Sequence, residues 1–163
     1  MARISFTGGS KYALKLQQME RYFISDAPLE KAVAAGSAIV ADQIRANLEA
    51  LPEDEFRNLG EREIFHGLPK GQKKDLLDSF GLTPIEKDKG GFIHTKAGFD
   101  GYGSFPTNDY PEGVPNPLLA RSVESGSSVR QKTPFVEPAV KATRKDAVEA
   151  MNGVIEDEFK SIF

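Results

Sequence analysis

One long apolar periodicity constrains the fold more than any other feature of the sequence. Small and apolar residues recur there at intervals of three and four, at Leu29, Val33, Gly36, Val40, Ile44 and Leu48. This spacing places them on one face of an amphipathic helix. Asp26 is predicted to cap the helix, Pro28 to lie in its first turn, and Pro52 to mark its end. Such a helix must bury its apolar face, so Val40 and Ile44 are predicted core residues against a sheet.

Helical patterns also mark the two ends of the chain. Residues 3–7 alternate as a short strand does, and Ser10 then caps a first helix with apolar residues at Tyr12, Leu16, Met19 and Phe23. The last helix is predicted from Pro138 to near Phe163, with an apolar stripe at Val148, Met151, Ile155, Phe159 and Ile162.

Short elements fill the middle of the chain. Residues 52–68 are mixed and charged, which predicts a loop with one helical turn. Residues 69–81 form a short helix closed by Gly81. Residues 82–88 and 91–99 flank a glycine-rich turn and are predicted to pair as a hairpin.

A long acidic loop is predicted over residues 99–117. It is rich in glycine and proline and carries Asp100, Asp109 and Glu112 but no Lys or Arg. A loop of this length inside a compact domain is usually functional or mobile. We expect it to be mobile in a free subunit and ordered by a neighbour.

One short helix and one extended segment complete the pattern. Residues 118–125 form a short helix ended by Gly126, and residues 127–136 are predicted to be extended. Together the elements predict one α+β domain over residues 1–163, with long N-terminal and C-terminal helices packed on a small antiparallel β-sheet.

Composition excludes several kinds of chemistry. The chain has no cysteine, so it has no disulfide, thiolate zinc site or cysteine nucleophile. Its net charge of -3 supplies no general attraction for nucleic acid or for a membrane surface. No apolar run approaches the ~18 residues that a membrane span needs. These features are typical of a soluble protein of a reducing cytoplasm.

No residue pattern predicts a catalytic, cofactor or metal site. The two histidines, His66 and His94, fall short of the three ligands that a catalytic metal usually takes. The carboxylate runs at 53–55 and 156–158 are typical of solvated surface. The sequence therefore favours a protein that works by contact and is not an enzyme.

Two prolines bracket Phe135 just before the last helix. In the stretch TPFVEPAV (133–140), Pro134 and Pro138 favour extended backbone at the residues that precede them. Pro138 also suits the first turn of a helix. Phe135 is therefore predicted to be an apolar anchor on a stiffened corner, and a hydrophobic staple that only sets the helix angle is the simplest explanation.

This corner and the residues before it resemble the tail-completion, or head–tail connector, family of tailed bacteriophages. The resemblance rests on LLARSVESGSS (118–128), followed by KTPFVEPAV (132–140) and a long C-terminal helix. The family pattern is a Glu-Gly turn followed by a Pro-Phe-hydrophobic-x-Pro-Ala corner. Upstream, LLDSFG (76–81) and the alanine-rich AVAAGSAIVADQIRANL (32–48) are similar to earlier family segments.

The resemblance implies a structural virion protein of the phage neck. Its subunits would form a ring, six-fold like the tail, around the DNA channel. A head-completion, or stopper, protein would bind on one side and a tail terminator or tail-tube protein on the other. The family brings no catalytic residue, cofactor, metal or membrane, and it implies synthesis in the bacterial host cytoplasm. DNA would pass without specific binding, which suits an acidic chain because each Lys or Arg contact adds sequence-independent affinity.

Candidate contacts with neighbouring subunits or partners flank the corner and lie in the acidic loop. They are Glu124, Arg130, Lys132, Phe135, Pro138, Asp100 and Asp109. A ring joins two different patches of the subunit at a fixed angle, which a corner stiffened by prolines would hold.

Other functions stay open at this point. One is another neck or tail protein, such as a tail terminator, and another is a regulatory binding module. A small hydrolytic enzyme would need an apolar pocket with convergent polar groups, around His94, Glu86 and the loop 99–117.

Overall fold

Four helices and six short strands make up the fold of the described residues from Ala27 onwards. A computed structural model describes residues 13–18, 20, 25–57 and 59–162. The helices are α1 (Ala27–Glu49), α2 (Lys70–Ser79), α3 (Asn116–Ser125) and α4 (Val136–Ile162). The prediction of an α+β fold with long helices towards both ends is confirmed.

The strands form three separate two-stranded pieces. They are β1 (Glu53–Asp54), β2 (Leu68–Pro69), β3 (Phe80–Leu82), β4 (Glu86–Lys87), β5 (Ile93–His94) and β6 (Ala97–Phe99). β3 pairs antiparallel with β6, and β4 with β5, so residues 80–99 form one interrupted hairpin. β1 and β2 pair in parallel. The predicted hairpin is confirmed, and the parallel pair is an addition that the sequence did not indicate.

Helices α1 and α4 pack against each other in antiparallel directions. Lys31 Nζ, near the start of α1, lies 2.6 Å from Glu158 Oε1, near the end of α4. Further along, Gly36 faces Met151 so closely that a Cβ on Gly36 would lie 2.6 Å from Met151 Cγ. The glycine is therefore needed for this close approach of the two helices.

The core lies where α1, α3 and the start of α4 meet α2 and the strands. Its buried members are Ala41, Ile44, Leu48, Leu68, Leu76, Phe80, Leu119, Ala120, Val123, Phe135 and Ala139. Ile44 is buried as predicted, and Val40 is half-buried against the same cluster. Leu29, predicted on the same face, is 45% exposed because the buried face at the start of α1 is formed by Pro28, Ala32 and Gly36.

The predicted apolar stripe of the last helix is only partly right. Met151 and Ile155 are half-buried and Met151 faces Gly36, but Val148 and Phe159 are exposed. The fully buried positions are the small residues Ala139, Thr143 and Ala147. Small side chains line the seam because α1 and α4 approach so closely. The helix also begins at Val136, two residues earlier than predicted, which places Pro138 inside the first turn.

Several predicted ends and loops need correction. The segment between α1 and α2 forms β1 and β2 where a helical turn was expected. Gly81 does not close α2, because α2 ends at Ser79 and Gly81 lies in β3. Residues 127–130 form a tight turn instead of an extended segment, with Ser127 N donating to the carbonyl of Arg130 at 2.9 Å. Gly126 does end α3 as predicted, with a φ of 78° that favours glycine.

Two predictions concern the start of the chain. Asp26 occupies the N-cap position of α1, but its side chain bonds no helix N–H and instead pairs with Lys87 Nζ at 2.8 Å. Residues 13–18 and 20 are helical, in line with a first helix. The predicted strand 3–7 and the residues Ser10, Tyr12, Met19 and Phe23 lie outside the described residues.

The acidic loop between β6 and α3 is held near its two ends. Asp75 accepts hydrogen bonds from Ser104 N at 2.7 Å and from its hydroxyl at 2.6 Å. Asn116 Nδ2 donates to the carbonyl of Asp100 at 2.8 Å. Within the described residues, no helix combines the length and apolar character that crossing a bilayer requires.

Replacing Ile44 by Ala should lower the free energy of unfolding by about 2–5 kcal/mol if the site cannot collapse. The reason is that Ile44 is only 2% exposed and touches the central cluster. Urea unfolding of both proteins measures the change. Leu29→Ala on the same helix is the control and should cost less than about 1 kcal/mol. A loss below about 0.5 kcal/mol for Ile44→Ala would contradict this placement of α1.

Candidate functional site

The corner between α3 and α4 is built around the carboxylate of Glu124. Its Oε2 accepts from the backbone N–H of Phe135 at 2.7 Å and of Val136 at 2.9 Å, and its Oε1 accepts from Glu137 N at 2.9 Å. The first N–H groups of a helix have no partner within the helix. A carboxylate at this position satisfies them and also favours the positive end of the helix dipole. Glu124 therefore caps α4 from the last turn of α3.

Phe135 is the apolar anchor of the corner, as predicted. Its side chain is 1% exposed and meets the ring of Phe99 edge-on, with 6.0 Å between ring centroids. Asn47 Nδ2 of α1 donates to the carbonyl of Phe135 at 3.0 Å. Thr133 N donates to the carbonyl of Val123 at 2.9 Å. The corner is thus attached to α1, to α3 and to the hairpin at once.

Arg130 lies inside the subunit, although the sequence analysis placed it among the surface contacts. It is 5% exposed, and its guanidinium donates to the carbonyl of Gly67 at 2.8 Å and to Gln72 Oε1 at 2.7 Å. The guanidinium carbon also lies 5.0 Å from the centre of the Phe65 ring. Burial lowers the pKa of Arg130, and the negative charge of Asp54 opposes that shift. An arginine remains charged at neutral pH, so its buried charge is held by these acceptors.

The other predicted contact residues are on the surface. Lys132, Pro138, Asp100 and Asp109 are all exposed. The seven candidates thus form two groups. Glu124, Arg130 and Phe135 hold the corner together from inside, whereas the four exposed residues are available to a neighbour.

Sequence reasoning missed the residues that bind Arg130. Phe65, Gly67 and Gln72 are each about sixty positions upstream, with separations of 63 and 58 residues for the two hydrogen bonds. The backbone of Phe65 also exchanges hydrogen bonds with the 129–131 segment, at 3.0 Å and 2.9 Å. No local pattern in the sequence signals these long-range partners.

The residues considered for an enzyme are not gathered in one described cavity: Thr107 and Val114 of the loop 99–117 line one cavity, and Asp100 and Tyr102 line another. Glu86 and His94 are paired across β4 and β5, and neither lines the larger cavities that the structure describes. His94 Nδ1 lies 3.4 Å from the carbonyl of Phe92, the one hydrogen-bond contact described for the ring. Within the part of the chain that is described, no three His, Cys, Asp or Glu side chains lie close enough to hold a metal ion.

Asp54 connects β1 to the Phe65 segment. Its Oδ2 accepts from His66 N at 3.0 Å, and its Oδ1 pairs with Arg57 at 2.8 Å. The pKa of Asp54 lies below its ordinary value of 3.8, mainly because the carboxylate accepts the hydrogen bond from the backbone N–H of His66. Partial burial opposes this shift, and Arg57 adds to it.

Glu124→Ala should destabilise the protein by about 1–3 kcal/mol, because three backbone N–H groups at the start of α4 lose a charged acceptor. Urea unfolding followed by circular dichroism measures this loss. Glu137→Ala is the matched control, since its carboxylate makes an exposed pair with Lys141 and should matter little. Equal effects of the two substitutions would show that the cap does not hold α4.

Asp54→Asn should change how stability depends on pH. A carboxyl group whose pKa is lowered by folding contributes stability above its unfolded pKa, about 3.9, and this contribution is lost as pH falls through the folded pKa. The variant should therefore be less stable than the parent at pH 7, and the difference should shrink below about pH 4. Unfolding measured from pH 7 to pH 2 tests this. Arg57→Gln keeps the His66 hydrogen bond and should show the smaller change; parallel profiles for Asp54→Asn and the parent would contradict the assignment.

Comparisons with known proteins leave the site to be interpreted from its own geometry. Searches against protein-family models, curated proteins and solved structures found no match. The function is therefore inferred from the sequence resemblance and from the contacts described above.

Proposed function

We propose that this chain is a structural protein of the neck of a tailed bacteriophage, forming a ring that completes the tail and joins it to the head. The observation that carries the proposal is the capped corner. The residues that resemble the tail-completion family, Glu124 and the Pro134–Ala139 stretch, are the residues that hydrogen-bond to each other here. A sequence motif whose residues hydrogen-bond to one another supports a resemblance better than the same residues without such contacts.

A ring needs a contact surface held at a fixed angle. Each subunit must offer one patch to a different patch on the next, and small angular errors prevent closure. Glu124 and Phe135 fix the direction of α4 relative to α3, and the exposed residues Lys132 and Pro138 lie beside them. Within this proposal, the buried group positions the corner and the exposed group makes the contact.

The charge of the chain suits a channel through which DNA slides. A net charge of -3 limits attraction to phosphate, since each Lys or Arg contact would add affinity and slow passage. The proposed partners are a head-completion protein on one face of the ring and a tail terminator or tail-tube protein on the other. The acidic loop, with exposed Asp100 and Asp109, is proposed to become ordered against one of them.

A tail terminator or another neck ring is the nearest alternative. It shares the ring and the virion location but differs in its neighbours. Negative-stain micrographs of the purified protein, alone and with the products of adjacent genes, separate these roles. A gene located between capsid and tail-tube genes favours the connector, and a location elsewhere counts against it.

Pro138→Ala should give a folded protein with impaired ring assembly or head–tail joining. Alanine keeps the helix but relaxes the first turn of α4, so the angle of the corner is less fixed. Circular dichroism checks the fold, and electron microscopy with a head–tail joining assay measures function. Pro52→Ala is the matched control, because Pro52 is an exposed proline outside the corner. If Pro138→Ala assembles and joins heads to tails as well as the parent, the corner is only a helix start.

A further inference from the structure

Phe92 is the most exposed large apolar side chain among the described residues. It is 72% exposed at the tip of the β4–β5 hairpin. Single exposed apolar residues are common on protein surfaces, so the exposure of Phe92 alone does not identify an interface. Aromatic side chains are enriched among interface anchors, so the turn that holds Phe92 and the grooves of the chain decide whether it has a partner.

The turn that carries Phe92 is well fixed. Asp88 Oδ1 accepts from Gly90 N at 2.8 Å and from Phe92 N at 2.9 Å. Asp88 N in turn donates to the carbonyl of Phe92 at 2.9 Å. Lys87, which directly precedes the turn, forms an ion pair with Asp26 at the start of α1, at 2.8 Å. Phe92 is therefore presented in one place, which lowers the entropy lost on binding.

An apolar groove of the same chain matches this side chain. It has a volume of about 470 Å³ and lies between the 56–59 segment, α3 and the 127–130 turn. Phe56, Leu118 and Val129 line it and are 48%, 40% and 50% exposed. The guanidinium of Arg57, 5.5 Å from the Phe65 ring, also faces this region. An aromatic ring in the groove would stack favourably with that cation.

A subunit cannot fill its own groove with its own hairpin tip. The hairpin is tied to Asp26 before the start of α1, whereas the groove begins at Phe56, just beyond its end. A helix of 23 residues separates the two ends by about 35 Å, at 1.5 Å per residue. The two surfaces are complementary but distant, which is what a head-to-tail contact between copies requires.

The charges of the two surfaces are also complementary. Lys89 lies in the hairpin turn beside Phe92, and no ion pair is described for it. Asp109 and Glu112 lie in the acidic loop between Thr107 and Val114, which line the groove. Neither carboxylate has an ion pair among the described residues. The turn also carries Asp88, but the Oδ1 of Asp88 binds Gly90 N and Phe92 N within the turn. A pairing of Lys89 with the acidic rim therefore favours a tip meeting a groove over two tips meeting.

We propose that Phe92 at the hairpin tip of one subunit docks into this groove of a second copy of the same chain. The proposal rests on the ring proposed above and adds a second subunit contact to the one proposed at the corner. Repeating the contact around an axis that closes gives a ring, and Lys89 then lies near Asp109 and Glu112 of the next copy.

The absence of natural cysteine makes the contact directly testable. Lys89→Cys and Ser128→Cys variants, one of them carrying a mass tag, are mixed at increasing concentration under mild oxidation. Lys89 lies in the same turn as Phe92 and Ser128 lines the groove, so both substitutions leave the Phe92 ring and the apolar lining in place. We expect the tagged and untagged chains to form a disulfide-linked pair at least several-fold faster than a control mixture of Lys89→Cys with Val148→Cys. Val148 is exposed on α4, as Ser128 is in the 127–130 turn, so both cysteines are accessible. Circular dichroism confirms that each variant is folded.

Two outcomes separate this inference from the proposed function. Equal cross-linking in both mixtures at the highest concentration, while micrographs still show rings, overturns the docking and leaves the ring. Preferential cross-linking of Lys89→Cys with Ser128→Cys, in a protein that does not join heads to tails, supports the docking and overturns the neck function. As a second measurement, Phe92→Ala should weaken self-association in sedimentation without changing the stability of the subunit, and unchanged association counts against the docking.

Discussion

The carboxylate of Glu124 determines where the longest helix begins and in which direction it runs. It accepts hydrogen bonds from the three backbone N–H groups of residues 135–137 and so connects the end of α3 to the start of α4. Without that acceptor the N–H groups would be left beside the buried ring of Phe135, where an unmet hydrogen bond is costly. Because Asn47 of α1 binds the carbonyl of Phe135, the same few atoms also set how α4 lies on α1. The proposed ring contact depends on that arrangement.

Elements with strong local signals were predictable from the sequence. Helix α1 follows from its periodicity, the end of α3 from Gly126, and the hairpin from its glycine-rich turn. The buried face of α4 was only partly predictable by hydrophobicity, which selects the exposed Val148 and Phe159 as well as the half-buried Met151 and Ile155. The close approach of α1 at Gly36 favours small side chains, so Ala139 and Ala147 are the fully buried positions. Close packing against α1, more than the size of the apolar side chains, determines which face of α4 is buried.

The candidate site was predictable only where its parts are near in sequence. Phe135 and the two prolines around it have a local signal, and the anchor was correctly identified. Arg130 was taken for a surface charge, because nothing near it indicates the acceptors at Gly67 and Gln72. The two-residue strands β1 and β2 also have no local sequence signal, because a parallel pair of this length depends on contacts made elsewhere. Long-range pairing is the information that a single sequence lacks.

The pairing of α1 with α4 also has a consequence for synthesis of the chain. More than eighty residues separate the end of α1 at Glu49 from the start of α4 at Val136. While the ribosome is still making the middle of the chain, the face of α1 around Gly36 has no partner, because the seam of Ala139, Thr143 and Ala147 does not yet exist. Contacts between such distant segments form late, after a large loop has closed. The nascent chain therefore carries an uncovered helix until α4 has been synthesised, a period in which chaperone binding competes with aggregation.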